Sequence, residues 1–359
     1  MIRRKFLFLF ILGRLSRRTA PAFLLWGLLL PLLWPRYSAA SDLSGKVGGE
    51  LGYYHSSIGF DRQREHLLGR FTGSLRYKGS HGNSNWNFEA QLKPELYDFN
   101  GNTGIIKSNG GLQFIEKYSG GNWNLALDFR NNKYYFDDID ITFRTVGFRA
   151  GVVQQIRPST FLLINGGYLY RNITDGDPAG LDALPVRLKI VWGLSPYLVL
   201  SGGTYLERFR VHRTLTSNQV WKKEYNRGWR YGPEFSVEYQ RDFYFNFVYS
   251  ILGHTSDVTV SPSTEQSVRL VLGKILSPEW SAFFLIDYYF NQLKGKNNPD
   301  PRLYYSAINN ENFVQFKLEK DLSASADLYL KIVYLNEDLI IRNYGFDGWQ
   351  TTGGLEFEF

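Results

Sequence analysis

Apolar and polar residues alternate strictly along most of the chain after residue 45. Between Trp229 and Tyr239, every second residue is aromatic, Pro or Val, and the residues in between are Arg, Gly, Glu or Ser. The same alternation occurs in 85–93, 243–251 and 328–334. Successive side chains of a β-strand point to opposite faces, so this period of two predicts strands whose two faces meet different surroundings.

We predict sixteen strands from this pattern, and a count of fourteen or eighteen also agrees with it. The predicted strands lie near 45–55, 67–78, 85–98, 111–118, 122–130, 139–153, 160–170, 184–193, 197–210, 229–240, 243–252, 266–275, 280–291, 311–319, 326–335 and 347–359. Every second connection is short and rich in Gly, Pro, Asn, Asp and Ser, which are residues that favour tight turns. The connections between these short ones are longer, as in an up-and-down barrel with tight turns at one end.

Two architectures use such alternation, a soluble sandwich and a transmembrane barrel. The barrel is favoured because the polar faces carry many charges, for example Arg187 with Lys189 and Glu234 with Glu238. The predicted strands also reach ten residues or more, whereas strands of soluble proteins are usually about 5–6 residues long. We therefore predict an all-β fold, a transmembrane up-and-down antiparallel β-barrel that occupies residues 41–359.

The first forty residues have the pattern of an export signal. Arg17 and Arg18 precede an apolar run over 22–34, and small residues at 38–40 follow it. A basic region, a short apolar region and a small-residue cleavage site define a secretory signal peptide. We predict a signal peptide over 1–40, with cleavage after Ala40.

Composition and charge exclude several classes of function. The chain has 41 basic and 34 acidic residues, but seven of the basic ones and none of the acidic ones lie in 1–40, so the remainder is formally neutral. A neutral body without a basic block lacks the electrostatic footprint of a nucleic-acid-binding protein. The absence of Cys excludes disulfides, thiolate metal sites, Cys nucleophiles and covalent c-type haem attachment.

The last residues alternate as well, with Leu355, Phe357 and Phe359 on one face. In this respect the chain resembles bacterial outer-membrane β-barrel proteins of the porin type, which commonly end in a strand with a terminal aromatic residue. The resemblance implies an outer-membrane location and recognition of Leu355, Phe357 and Phe359 by the barrel-assembly machinery as an insertion signal. It concerns the architecture and indicates no specific family.

The charged face of the strands is expected to line the interior of the barrel, because charges at this density must either contact water or pair with one another. The candidate pore-lining residues are Arg70, Arg76, Lys78, Glu89, Lys93, Arg130, Arg187, Lys189, Arg230, Glu234, Glu238, Arg269, Asp287 and Lys331. Lys46, Glu50, Glu95, Asp128, Arg144, Lys317, Glu356 and Glu358 are assigned to the same face.

A sixteen-stranded barrel is wide enough to enclose an aqueous channel. Passive passage of small hydrophilic solutes is therefore the leading functional prediction. Two versions remain open: a mixed-charge wall without selectivity, or a stretch that attracts anions, formed by Arg70, Arg76, Lys78, Arg187 and Lys189. The longest connections, near 211–228 and 292–310, are of moderate length, so we expect no large inward-folded constriction loop.

Two alternative functions are carried forward. One is a sheath or scaffold for a periplasmic or surface partner, such as an electron-transfer cytochrome. The other is a lipid hydrolase, since His254-Thr255-Ser256-Asp257 loosely resembles the His-x-Ser-Asn motif of outer-membrane phospholipases and lipid A deacylases. Here Asp replaces Asn, and strand parity turns His254 toward the interior, so we expect no enzyme activity. We expect no cofactor and no metal.

The expected partners follow from the predicted location. They are outer-membrane lipid, lipopolysaccharide and the barrel-assembly machinery, with a homo-oligomer or a periplasmic partner left open, and no nucleic acid.

Overall fold

A computed structural model describes residues 40–58, 64–97, 104–136, 139–174, 179–217, 220–297, 303–305, 310–339 and 344–359. Residues 1–39 lie outside these ranges, so the predicted signal peptide and its cleavage stay predictions. No helix among the described residues is long and apolar enough to cross a membrane, a finding that has no bearing on crossing by strands.

Within the described ranges, sixteen strands form one closed antiparallel barrel in which each strand pairs with its neighbours in sequence, and the first strand pairs with the last. The strands are β1 (Ala40–Ile58), β2 (Arg64–His81), β3 (Ser84–Tyr97), β4 (Gly104–Tyr118), β5 (Gly121–Phe136), β6 (Ile139–Arg157), β7 (Thr160–Thr174), β8 (Ala179–Ser195), β9 (Leu198–Ser217), β10 (Val220–Gln240), β11 (Tyr244–Ser256), β12 (Thr259–Ser277), β13 (Trp280–Gly295), β14 (Asn310–Ser323), β15 (Ala326–Leu339) and β16 (Tyr344–Glu358). The predicted fold class and all sixteen predicted strands are confirmed.

The two ends of the barrel differ in their connections. At one end, here called the turn end, the strands are joined by connections of two or three residues, such as 82–83 and 119–120. Gly82 and Gly120 adopt φ values of 57° and 85° there, a left-handed conformation that favours glycine over residues with a side chain. The opposite end, with connections such as 59–63 and 296–309, is called the loop end.

Several loop-end connections are shorter than predicted because the strands continue into them. The predicted loop 211–228 is mostly strand, since β9 runs to Ser217 and β10 begins at Val220. The ladder remains paired throughout this extension, from Val220 opposite Ser217 to Arg227 opposite Arg210. Continued pairing satisfies the backbone donors and acceptors that an open loop would leave to water.

The outer wall of the barrel is apolar. Leu51, Leu127, Phe148, Val186 and Phe235 alternate with inward residues, and all five are exposed on the outer face. An apolar outer wall on a closed antiparallel sheet suits hydrocarbon, because barrel closure leaves no unpaired strand edge. The chain is therefore a transmembrane β-barrel.

The interior of the loop-end half contains a hydrophobic core. Its buried residues all come from inward positions near the loop ends of the strands: Tyr54, Leu68, Ile105, Tyr134, Ile141, Phe143, Ile173, Ala179, Leu181, Ala183, Phe209 and Val211. The prediction assigned polar residues to the inner face, and in this half it missed the apolar residues that pack beside the inward charges. An interior filled by its own side chains requires apolar residues, since a buried unpaired polar group costs free energy.

Candidate functional site: the barrel interior

The turn-end half of the interior is open and charged, and we call this space the vestibule. Arg149 and Asp128 form an ion pair of 2.7 Å on its wall, yet their side chains are 61% and 50% exposed. Arg76 and Glu89 form a similar pair at 3.0 Å. Inward side chains with this much exposure must contact water, so the vestibule is an aqueous space.

A cleft of about 440 Å³ opens at the turn end of the vestibule. Inward residues of β2, β3 and β4 line much of it, among them Lys78, Asn87 and Gln113. Apolar groups, among them Trp86 and Ile115, line the cleft together with these polar side chains.

All fourteen candidate pore-lining residues occupy inward positions in the strand register. Arg76, Lys78, Arg130 and Arg269 are exposed within the interior, whereas Arg70, Arg230, Glu234 and Lys331 are buried there. The remaining six, which are Glu89, Lys93, Arg187, Lys189, Glu238 and Asp287, are partly exposed. The set is thus divided between the vestibule and buried ionic clusters, and the fourteen residues do not meet at one level of the barrel.

Arg144 departs from its predicted face. It is exposed and shares its parity in β6 with the exposed outer residues Val146 and Phe148, whereas Ile141 and Phe143 point inward. Its cross-strand partner Asn131 has the outward parity of β5. Arg144 therefore lies on the outer wall near the loop end, and its assignment to the interior is wrong.

A first buried ionic cluster, the seam cluster, joins the strands on both sides of the barrel closure. Its Arg70 donates from Nη1 to Glu50 Oε2 at 2.5 Å and from Nη2 to Glu95 Oε2 at 3.0 Å. Lys331 donates to both oxygens of Glu50 at 2.8 and 2.7 Å, and the Tyr329 hydroxyl donates to Oε1 at 2.9 Å.

The seam cluster connects the strands at the two ends of the chain. Glu50 is on the first strand and Lys331 on the fifteenth, so a contact between them spans the junction of β1 with β16. Arg70 also donates to Gln350 Oε1 of β16 at 3.2 Å. Because each buried charge has an opposite partner, the cluster ties the chain ends together without leaving an uncompensated ion.

A second buried cluster, the latch cluster, lies across β9 to β13. Arg230 donates from Nε to both Glu265 oxygens at 3.0 and 2.9 Å and from Nη1 to Glu207 Oε1 at 3.1 Å. Tyr289 donates its hydroxyl to Glu265 Oε2 at 2.6 Å, and Tyr205 donates to Glu207. Arg230 thus bridges two carboxylates from different strands in a bidentate geometry that favours guanidinium over ammonium.

The latch cluster holds a segment of the β13–β14 connection inside the barrel. The ring of Tyr305 lies 4.0 Å from the Arg230 guanidinium carbon, and its centroid is 5.0 Å from that of Phe209. The buried Asn226 donates from Nδ2 to the Leu303 carbonyl at 2.7 Å. We call residues 303–305 the inward segment.

The sequence predicted no large inward-folded constriction loop, and the described residues 303–305 show that a short part of the β13–β14 connection nevertheless contacts the interior. The connection 296–309 is moderate in length, as the sequence showed. A short segment is enough to contact the interior, because the latch cluster lies on the inner wall beside it. Cation–π contact and one buried hydrogen bond give this segment specific partners. The length of the connection alone could not predict these contacts.

The five residues proposed as an anion-attracting stretch do not form one cationic surface. Arg70 faces Glu50 and Glu95, and Arg76 faces Glu89. Arg187 and Lys189 share Glu234, at 2.6 and 3.4 Å. Neighbouring carboxylates offset most of this positive charge, which favours the mixed-charge wall.

The best catalytic candidate of the sequence is buried in the latch cluster. His254 points inward as predicted, is fully buried, and its Nδ1 lies 2.5 Å from Glu265 Oε1. The hydroxyl of Ser256 pairs with that of Thr259 at 2.8 Å. The His254 ring also packs against Phe209, so this histidine acts as part of the interior packing.

Sequence reasoning missed Glu207, Glu265, Tyr289 and Tyr305. Glu265 and Tyr305 fall in predicted connections, where face parity was not applied. Glu207 and Tyr289 lie in predicted strands with inward parity, and that parity was the signal available for them. Nothing in the sequence pattern paired them with Arg230, because the pairing depends on the exact register of β9 with β10 and on side chains that reach across β11 and β12.

A group of carboxylates has the spacing of a cation site at the β14–β15 turn. Among the described residues, Glu319, Asp321 and Asp327 place ligand oxygens within 4.8 Å of one another. Glu319 is also paired with Lys317. Exposed acidic groups of this kind are common without an ion, so the geometry leaves the prediction of no metal unchanged.

The last strand closes the barrel. Leu355, Phe357 and Phe359 are exposed on the outer face, and Phe359 exchanges two backbone hydrogen bonds with Gly45 of β1, at 2.8 and 3.0 Å. The aromatic terminus therefore lies at the closure on the turn end. Its role as an insertion signal stays a prediction.

No protein-family model and no curated protein matches the chain. Several solved structures are similar to the chain at low identity. The outer membrane channel DcaP of Acinetobacter baumannii is 12% identical, with 90% of this chain and 99% of that chain covered and a TM-score of 0.47. OccAB4 of Acinetobacter baumannii is 11% identical, with 91% and 100% covered and a TM-score of 0.40.

A third similar structure is a loop-deletion mutant of OmpT, an outer membrane protein of Vibrio cholerae, at 12% identity, 89% and 99% coverage and a TM-score of 0.41. At these values the similarities carry no argument about the chain. The closed antiparallel barrel and its apolar outer wall identify the chain as a β-barrel of the outer-membrane type.

Proposed function

We propose that the protein is an outer-membrane channel for small hydrophilic solutes, with passage controlled at the loop-end half of its interior. The observation that carries the proposal is the exposure of Arg149 and Asp128 on the inner wall. Charged side chains that are half exposed inside a closed barrel require a water-filled space, and a water-filled space admits small polar solutes.

The orientation follows from the connections. In outer-membrane barrels the short turns face the periplasm and the longer loops face the outside. The vestibule then opens to the periplasm, and the latch cluster with its inward segment lies toward the exterior. The predicted signal peptide over 1–40 supports export to this location.

The chemistry of the wall supports a broad range of solutes. Arg149 with Asp128 and Arg76 with Glu89 place both signs of charge beside the aqueous space. Paired charges hydrate a wall without creating a strong field of one sign. The proposed substrates are therefore small and hydrophilic, with weak discrimination by charge.

The inward segment is the proposed control element. It is joined to the wall by the Asn226 hydrogen bond and the stacking of Tyr305 on Arg230, so its release widens the interior at this level. Release requires loss of a few specific contacts rather than rearrangement of the sheet. Such a small element opens and closes more readily than a strand.

Planar-bilayer recording of the folded full-length protein tests the proposal. We expect ion current from the wild type and a larger or more frequent open state for N226A/Y305A, since both anchors of the inward segment are removed. Y305F keeps the ring over Arg230 and is expected to behave as the wild type. Absence of current from both the folded wild type and N226A/Y305A would overturn the channel proposal.

The alternative as a scaffold is supported by one feature, the opening of the vestibule at the turn end. A periplasmic partner has access to the charged wall there, including Arg76 and Glu89. Co-purification of a specific periplasmic protein with the wild type, lost with R76E/R149E, would favour this function. The burial of His254 supports a structural role for it and gives no support to the hydrolase alternative.

A further inference from the structure

The outer wall of the barrel carries an unusual group of cations near the loop end. Arg144 of β6, Arg208 and Arg210 of β9, and Arg227 of β10 are all exposed and point outward. We call these four residues the basic patch. Lipid-facing positions of a barrel are normally apolar, and a charge there is tolerated only near the membrane surface.

Strand register brings the cations together. Arg210 lies directly opposite Arg227 in the β9–β10 ladder, and Arg208 lies opposite Trp229. Arg144 belongs to the adjoining row, which runs through Asn172 and Gly180 to His212. Neighbouring strands are about 4.7–4.9 Å apart, so Arg208, Arg210 and Arg227 share one small area, and Arg144, three strands from Arg210, lies about 14 Å away at its edge.

The Arg210–Arg227 pair points to an anionic ligand. Like charges directly opposite each other across two strands are destabilising. Asp182 accepts from Arg210 at 2.7 and 3.1 Å and also accepts from Tyr168 at 2.7 Å, so it holds Arg210 in place but serves several donors. A further anion between the strands would relieve the repulsion that remains.

Aromatic side chains fix the depth of the basic patch in the membrane. Trp229, Tyr231, Tyr225 and Tyr168 are exposed on the same part of the wall, and the Arg208 guanidinium lies 5.9 Å from the Trp229 ring. Aromatic girdles mark the lipid–water interface of membrane barrels. The cations therefore lie at the depth of lipid headgroups and not in the aqueous loops.

The opposite wall has a different character. The described outer side chains near the loop end of β14 to β16 include Asn312, Asn336 and Asp347, with Tyr334 donating to Asp347 at 2.7 Å, and none of them is Lys or Arg. Among the described outward residues near the loop end, arginines lie on β6, β9 and β10, and none lies on β14 to β16. A local ligand explains this asymmetry better than a general attraction to an anionic membrane.

We propose that the basic patch binds the phosphate groups of a phosphorylated glycolipid in the outer leaflet, the chemistry of the lipid A part of lipopolysaccharide. Guanidinium groups bind phosphate in bidentate geometry, and exposed Leu184 and Leu206 on neighbouring outward positions contact the acyl chains. The inference rests on the outer-membrane location in the proposed function and not on channel activity.

Native mass spectrometry of the folded full-length protein in detergent tests this site. The probes are bisphosphorylated lipid A, the same lipid with its phosphates removed, and inorganic phosphate as a competitor. We expect the wild type to retain the bisphosphorylated lipid at least about tenfold better than the dephosphorylated lipid, and R208Q/R227Q to lose this preference.

The matched control is K274Q/K320Q, which removes two outer-wall cations near the turn end and is expected to retain the lipid as the wild type does. R144Q alone, which leaves the Arg210–Asp182 contact intact, is expected to reduce retention by a smaller factor. Equal retention of the two lipids by the wild type, equal loss in the control, or displacement by millimolar inorganic phosphate would overturn the proposal.

Bilayer current separates this inference from the channel proposal. R208Q/R227Q is expected to conduct normally in bilayers that contain no phosphorylated glycolipid, because the basic patch lies outside the barrel. Loss of lipid preference with normal current supports the lipid site alone, whereas retained lipid preference without current leaves the lipid site intact and contradicts the channel.

Discussion

Arg70 and Arg76 lie on the same strand and the same inward face, yet they have opposite surroundings. Arg70 is in the seam cluster, with a side chain that is 5% exposed and bonded to Glu50 and Glu95. Arg76 is in the vestibule, 47% exposed, with Glu89 as its ion-pair partner at 3.0 Å. The comparison shows that depth along the barrel, and not the face of the strand, decides what an inward charge does.

The two halves of the interior therefore follow different physical rules. In the loop-end half, buried ions such as Arg230 and Glu265 form ion pairs and apolar residues pack around them, as in the core of a soluble protein. In the vestibule, ion pairs are in contact with water, where their attraction is weak. One barrel thus combines a packed core with an aqueous wall.

The largest expected effect is on stability, from substitution of Arg70. R70M leaves Glu50 and Glu95 with fewer cationic partners, and the free energy of unfolding should fall by about 3–5 kcal/mol. R76M removes one exposed pair and should cost less than about 1 kcal/mol. Urea unfolding in phospholipid vesicles measures both, and equal losses would remove the distinction between the two halves.

Thiol accessibility provides a direct test of the same comparison, because the chain contains no Cys. We expect R149C in the vestibule to react with a charged methanethiosulfonate reagent at least about tenfold faster than L181C in the hydrophobic core, since reaction requires water around the thiolate. Labelling after denaturation provides the reference rate. Similar rates in the folded protein would show that the loop-end interior is as wet as the vestibule.

A smaller effect is expected for the anchor of the inward segment. N226L removes the hydrogen bond to the Leu303 carbonyl, which should cost about 1 kcal/mol and increase hydrogen exchange at 303–305. Exchange at the distant turn 119–120 should not change, and it serves as the internal control. Unchanged exchange at 303–305 would mean that stacking on Arg230 alone holds the segment.

The smallest effect concerns ion selectivity and depends on the proposed channel. R149Q should shift the reversal potential in a KCl gradient toward cation preference, and D128N should shift it toward anion preference, because each leaves one vestibule charge without its counterion. R149Q/D128N should return close to the wild type. Identical shifts for both single variants would contradict control by these charges.

Much of the fold could be predicted from the sequence because the pattern is local. The alternation in 229–240 identified an outer face with Phe235 and an inner face with Glu234, and the structure places both residues so. Tight turns rich in Gly and Pro gave the spacing of the strands. Arg144 is the exception. An outward charge near the membrane surface interrupts the alternation in the same way as an inward charge of the neighbouring position, so the local pattern does not reveal its face.

The candidate site was less predictable because its contacts are not local. The fourteen inward positions were found by parity, but the pairing of Arg230 with Glu207 and Glu265 depends on the register of β9, β10 and β12. The contact of Tyr305 with Arg230 depends on the path of a connection that has no periodic pattern. The parity of a residue within its strand predicts the face on which its side chain lies. To predict the contacts of that side chain, one must also know the register of the neighbouring strands.

The sequence by itself determined the all-β barrel, the direction of most side chains and the apolar outer wall, because a period of two acts within each strand, and the structure settled the count at sixteen. Only the tertiary structure decided that the loop-end half is packed, that Glu50 meets Lys331 across the closure and that residues 303–305 enter the barrel. These features arise when strands distant in the chain are brought side by side. The burial of a side chain and the pairing of its charge therefore depend on the closed barrel and not on one strand.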